Sequence, residues 1–257
     1  MKYLLIILAL LMAKVKAQTN DSLRAQASMF PRMHAEVTIG NSRNQAPLSY
    51  VVPAVCIGYG FLALGNNAIK RLDRSVYNDM HEDYPHFSSP IDNYMQYSPA
   101  AAAYVLKIAG IHGKSTLSDQ TAVYFLSTAI MSTSVTFFKR TIHQLRPNGS
   151  SFSSFPSGHT ATAFAAAELM NQEFGDRSIW YGIAAYSAAT ATGILRVYNN
   201  AHWFSNIIAG AGFGILSTKA AYAIYPPIRD MLQQHTNVSV APFCYNRTAG
   251  LSISTSF

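Results

Sequence analysis

The sequence predicts an all-α bundle of six helices associated with a membrane, and three observations carry that expectation. Six apolar stretches of 12 to 23 residues follow one another from Tyr50 onward, too long for ordinary strands. Capping and helix-breaking residues bound most of them. Small residues crowd the last three, as in Ala161, Ala163, Ala165, Ala166 and Ala167 or Gly210, Gly212 and Gly214. Such residues let helix backbones approach closely, as in membrane bundles, although ordinary close packing explains the glycines equally well.

The elements follow in order. Residues 1–17 read as a secretory signal: Lys2 supplies the positive start, Tyr3 to Ala13 is apolar, and Ala17 is a small residue before Gln18. An uncleaved anchor is the alternative, and the lack of a Cys directly after the run argues against a lipid-anchored lipoprotein. Residues 18–49 form a polar, aperiodic leader. The first helical stretch is Tyr50 to Asn66, and a polar, Pro- and Tyr-rich connection follows from Asn67 to Pro99. The second stretch, Ala100 to Ile111, starts behind Pro99, a favourable first-turn residue. Ser118 or Asp119 caps the third, which runs from Asp119 to Arg140. The fourth is Ser157 to Phe174, stopped near Gly175, and the fifth is Ser178 to Leu195. The sixth spans Trp203 to Tyr225 and ends at Pro226 and Pro227. One domain, residues 50–227, therefore precedes a tail of residues 228–257. Within that tail Leu251 to Phe257 alternates like a strand, and a disordered tail is the other reading.

Composition agrees with a membrane setting without demanding it. Hydrophobic residues make up 49% of the chain and charged ones 12%, about half the charged share of a soluble domain. Mean hydropathy is only +0.10, and while the fifth and sixth stretches are long enough to cross a bilayer, the second is not. The formal net charge of +7 falls to +4 without Lys2, Lys14 and Lys16, which suits an anionic substrate or lipid headgroups. No basic run or helix stripe supports nucleic-acid binding. Cys56 and Cys244 are too few and too distant for a disulfide framework.

Three segments share one chemical content. Lys139-Arg-Thr-Ile-His-Gln-Leu-Arg146-Pro147 ends the third stretch, Pro156-Ser157-Gly158-His159 opens the fourth, and Arg196 to His202 links the fifth to the sixth. Antiparallel succession of helices brings all three to one end of the bundle. Three cations then meet the backbone N–H groups of a helix N-terminus, which is an anion site suited to phosphate. Two histidines beside it supply a nucleophile and an acid. Each residue alone is weak evidence, and their joint occurrence in order carries the signal. His143, four residues past Lys139, is read as an exposed or structural residue, with the rim of the anion pocket as the alternative. His81 and His86, near Asp79, Glu82 and Asp83, match no metal-ligand spacing and are read as loop residues.

Lys139-x6-Arg146-Pro147, Pro156-Ser157-Gly158-His159 and Arg196-x5-His202 resemble the signature motifs of the type 2 phosphatidic acid phosphatases, shared with vanadate-binding haloperoxidases. The resemblance covers about residues 90–225. It implies a metal-independent phosphatase without cofactor, in which Lys139, Arg146, Arg196, Ser157 and Gly158 hold the phosphoryl oxygens. By the same resemblance His202 attacks phosphorus, and His159 protonates the leaving oxygen and then activates water. One departure stands out: Asn206 occupies the position where the family carries the Asp that orients the nucleophilic His. Such an exchange weakens catalysis where the carboxylate matters, so Asn206→Asp is expected to raise turnover.

The expected substrate is a phosphorylated lipid: phosphatidic acid, phosphatidylglycerol phosphate, an isoprenyl diphosphate or lipid A. The expected location is a bacterial envelope, with the site facing the periplasm. A soluble periplasmic acid phosphatase and a weakly active headgroup-binding protein are the alternatives, with halide oxidation a remote further one. Side chains from the Asn67–Pro99 connection are expected to line the mouth and select the leaving group.

Overall fold

Helices start where side chains can satisfy their first N–H groups. The computed structural model describes residues 48–235, 238–245 and 248–255; the proposed signal and most of the leader lie outside them. The first helix, α1, is Leu48–Leu62. Asn67 then accepts from Lys70 N at 3.1 Å and caps α2, Ala68–Asp83. Two short helices follow, α3 Ile91–Met95 and α4 Ser98–Ile108. Thr116, rather than Ser118 or Asp119, caps α5, Leu117–Ile142: its Oγ1 accepts from Asp119 N at 3.1 Å and donates to Asp119 Oδ2 at 2.8 Å. The remaining helices are α6 Gly158–Phe174, α7 Ile179–Tyr198 and α8 Phe204–His235.

The all-α reading holds, with three differences. Eight helices are present among the described residues, because the Asn67–Pro99 connection contains α2 and α3. Helix α8 passes through Pro226 and Pro227 to His235 instead of stopping. Tertiary ties straddle the two prolines: Tyr225 donates to Asp119 Oδ1 at 2.6 Å, and Arg229 pairs with Asp119 Oδ2 at 3.8 Å. The tail carries an antiparallel hairpin, β1 Val238–Tyr245 against β2 Thr248–Thr255, with Val238 opposite Thr255 and Tyr245 opposite Thr248.

Helix α6 is the hub, packed against α4, α5, α7 and α8. Its Ala161, Ala163, Ala166, Ala167, Leu169 and Phe174 are fully buried. Glu168 and Glu173 of the same helix are buried but paired, with Lys219 at 2.9 Å and Lys107 at 3.1 Å, so their charges are not stranded. Close contact with α8 depends on glycine. A Cβ on Gly210 would lie 2.6 Å from Ser157 O and 3.3 Å from Thr160 Cβ, at the mouth of α6. Gly210→Ala is therefore expected to cost about 1–3 kcal/mol by overpacking, read as a lower melting temperature of the purified protein.

Two described helices are long and apolar enough to cross a bilayer, Leu117–Ile142 and Phe204–Met231. The first corresponds to the third predicted stretch, not the fifth. Helix α7 has the length, but Tyr, Ser, Thr and Gly residues dilute its hydropathy.

Candidate active site

The three motif segments meet where α5 ends, α6 and α8 begin, and α7 ends. Arg196 is the last basic residue of α7, and the chain turns back through Asn200, whose φ of 51° is left-handed. Asn tolerates that region better than most residues. The reversal delivers His202, 2% exposed, just ahead of α8. Trp203 locks the turn: its Nε1 donates to Leu145 O at 2.8 Å, and Lys70 of α2 lies 5.0 Å from its ring centre. Asp73, also from α2, accepts from Ser205 N at 2.8 Å and Ser205 Oγ at 2.6 Å, holding the first turn of α8.

His202 Nδ1 lies 2.7 Å from the backbone oxygen of Ser154. A carbonyl only accepts, so Nδ1 carries the proton and Nε2 keeps its lone pair. Burial, followed by the fields of Lys139, Arg196 and Arg146, holds the imidazole well below its usual pKa. It is neutral at ordinary pH, with its lone pair on Nε2.

The three cations converge on both histidines. Lys139 donates from Nζ to Ser153 O at 2.6 Å. Arg196 is 8% exposed and donates from Nη1 to Asp92 Oδ2 at 2.8 Å, leaving its buried Nε without a partner. Arg146 Nε is likewise buried and unpartnered, and burial together with Arg196 lowers the Arg146 pKa. Among the described residues Asp92 is the acid set against these three cations, so an anion is the natural complement.

At the start of α6, Ser157 occupies the N-cap position without a side-chain cap bond; its Oγ lies 2.9 Å from Thr160 Oγ1 and its N–H donates to Asn206 O at 3.1 Å. A Cβ on Gly158 would meet only Lys139 Cε and Val135 Cγ1, each at 3.9 Å. Protein packing alone does not require glycine there, whereas close approach of a ligand to the helix N-terminus does benefit from it. His159 is half-buried, with Nε2 2.8 Å from Asn93 Oδ1. Its pKa is pushed down to about 4, chiefly by burial and then by Arg196, with Asp92 opposing.

A family model described as the PAP2 superfamily matches residues 120–230, the span that holds all three segments. Over that span the chain is similar to the PAP2 superfamily. It is 42% identical over 139 residues to a lipid A 1-phosphatase of Porphyromonas gingivalis, a match covering 54% of this chain and 31% of that relative. The chain thus spans about a third of the length of the curated relative it matches. Among solved structures it resembles Aquifex aeolicus LpxE (18% identity, TM-score 0.44, 57% of this chain and 93% of that one). A second is a transmembrane PAP2-type phosphatidylglycerolphosphate phosphatase from Bacillus subtilis (18% identity, TM-score 0.46, 69% and 97%).

Against this similarity one expected role changes hands. Asn206 does not orient His202. Its Nδ2 donates to Ser154 Oγ at 2.7 Å, and its buried Oδ1 has no partner. The main-chain oxygen of Ser154 takes the acceptor position expected of residue 206, so the premise for Asn206→Asp raising turnover is removed. Ser154, Asp73, Asp92 and Asn93 escaped sequence reasoning. Ser154 acts through its backbone, and the others come from a polar connection that carries no motif. The one readable cue was Pro90-Ile91-Asp92, a helix-start pattern that says nothing of a site. His143 sits exposed at the left-handed C-cap of α5, φ 49°. Among the described residues no His, Cys, Asp and Glu cluster arranged for a metal occurs at His81 and His86 or elsewhere.

Proposed function

We propose that this chain is a phosphoric ester hydrolase that removes phosphate from a membrane lipid through a phosphohistidine on His202. The observation that carries the reading is the buried, neutral His202, its Nδ1–H committed to Ser154 O, inside the field of Lys139, Arg146 and Arg196. Nε2 attacks phosphorus, and the bond to the leaving oxygen breaks as that oxygen takes, through His159, the proton that the phosphate monoanion brought. Neutral His159 then accepts a proton from water, the hydroxide attacks phosphorus, and the P–N bond breaks to release phosphate. Lys139, Arg146, Arg196 and the N–H of Gly158 stabilise the charge that builds on the equatorial oxygens, the Ser157 N–H being already committed to Asn206 O.

A lipid substrate is favoured over a soluble one by the sides of the bundle. The 26-residue α5 has only 22% of its apolar window buried, and Phe125 and Phe137 are 77% and 60% exposed. An apolar helix so bare is not the core of a water-soluble protein. The relative's activity makes a lipid A phosphate the first substrate to try, with the site facing the periplasm of a bacterial envelope. The test is phosphate release from lipid A, phosphatidic acid, isoprenyl diphosphate and small phosphoesters with EDTA present, with quenched labelled enzyme assayed for acid-labile phosphate. Release abolished by EDTA, or an absence of labelled enzyme under pre-steady-state conditions, would overturn it.

The low pKa of His159 fixes the sign of a pH prediction. Free enzyme is neutral at His159 above about pH 4, so the proton for the leaving group arrives on the phosphate monoanion. Phosphate monoesters lose that proton near pH 6. kcat/KM should therefore fall about tenfold per pH unit above roughly pH 6. A profile rising from pH 6 to 8 would contradict it.

A further inference from the structure

Helix α3 is one turn long, lies in a connection without a motif, and sends two consecutive side chains to the site. Asp92, 1% exposed, bonds Arg196, and Asn93 bonds His159. The turn is fastened on several sides. Asn199, three residues past Arg196, donates to Asp92 Oδ2 at 3.1 Å and exchanges two bonds with the backbone of Ser89, each at 2.9 Å. Gln96 Nε2 closes the turn on Asn93 O at 2.8 Å. Asn93 is thus an amide held in place by a fixed backbone, aimed at one nitrogen of the residue that must move two protons.

We propose that Asn93 is the positioning residue of the general acid, accepting the Nε2–H of His159 and so dedicating Nδ1 to proton transfer. This rests on the phosphohistidine reading above. In an imidazole, an N–H committed to an acceptor fixes the tautomer and the ring plane. With Nε2–H on Asn93 Oδ1, Nδ1 takes the proton that the phosphate monoanion brings and passes it to the leaving oxygen as the P–O bond breaks. Nδ1 then takes a proton from the water that attacks the phosphohistidine. Nε2 keeps its proton throughout, so the balance closes over one turnover. The exposed position of Asn93 at the mouth also lets the leaving group sit beside the acid. It is the expected contribution of the Asn67–Pro99 connection to substrate choice, narrowed to one side chain.

The leaving group provides the test. A nitrophenolate departs without protonation, whereas an alkoxide needs the acid, and kcat/KM reports steps only up to phosphoenzyme formation. Dodecyl phosphate and p-nitrophenyl phosphate would be compared on wild type, Asn93→Ala and Asn93→Asp in detergent. Asn93→Ala should lose at least about tenfold more on the alkyl than on the aryl ester, a share of the 10²–10⁴ that a general acid supplies. Asn93→Asp keeps an acceptor oxygen and adds negative charge beside His159. It should recover the alkyl rate and move the alkaline limb of the kcat profile to higher pH. Equal losses on the two esters, or an unmoved limb in a folded Asn93→Asp, would overturn the assignment; the latter decides alone if the alanine variant does not fold. Wild-type hydrolysis unaffected by His202→Ala would instead sink the phosphohistidine reading.

Discussion

His202→Ala is expected to lower kcat/KM by about 10⁴-fold or more on every substrate the wild type hydrolyses. Removal of a nucleophile costs on that scale where the remaining groups can only bind and polarise. Lys139, Arg146 and Arg196 would still hold phosphate, so KM or product inhibition should change far less than kcat. The substitution also leaves Ser154 O, now bonded by Nδ1–H at 2.7 Å, without its donor in a buried setting. A stability loss of about 1–3 kcal/mol follows, and a melting curve read beside the kinetics separates it from the chemistry. Retention of more than about one-hundredth of the wild-type rate by folded protein would remove His202 from the nucleophile's role. His202→Gln offers a check with a side chain that can still donate to Ser154 O.

Arg196→Ala should damage stability and activity together, with the largest stability loss of the changes considered. It strips Asp92, 1% exposed, of its ion partner and leaves only the 3.1 Å bond from Asn199. Breaking one side of a buried pair costs about 3–5 kcal/mol, most of it the stranded charge. Loss of one preorganised donor to the phosphoryl group lowers kcat by a further 10²–10³-fold or so. The two effects are separable. Adding Asp92→Asn to Arg196→Ala removes the stranded carboxylate and should restore most of the melting temperature while activity stays low. Recovery of activity in the double variant would mean that Arg196 serves only to neutralise Asp92. No recovery of stability would mean that the pair is not what Arg196 contributes to the fold.

Much of this site was legible because its chemistry is written in short segments. Lys139, Arg146, Ser157, Gly158, His159, Arg196 and His202 sit at helix ends, and antiparallel succession brings helix ends together. The roles expected of them remain to be measured; their convergence is a property of the fold. Harder to read were the groups that hold these residues. Asn206 matches the motif by position, yet its side chain turns to Ser154 Oγ while the ring of His202 turns to Ser154 O. Spacing locates a residue on a helix but does not say which of two nearby acceptors wins. The connection from Asn67 to Pro99 was opaque for a related reason. Helix α2 is amphipathic, but its polar face includes Asp73, whose carboxylate is buried against Ser205 rather than solvated. Pro226 and Pro227 misled in the opposite direction, because local propensity predicts a stop and the ties of Tyr225 and Arg229 to Asp119 carry the helix through.

The sequence by itself determined the helical class, the order of the three charged segments, and the identity of the nucleophile and acid candidates. Those follow from local propensity, periodicity and ionisable groups, which each residue carries wherever it sits. Only the tertiary structure decided that Ser154 holds His202, that Asp92 pairs Arg196 and that Asn93 holds His159, across 48, 104 and 66 residues. A hydrogen bond between buried groups depends on distance and angle to a few tenths of an ångström. That precision is set by how α3, α6, α7 and α8 pack, and no pattern along the chain encodes it.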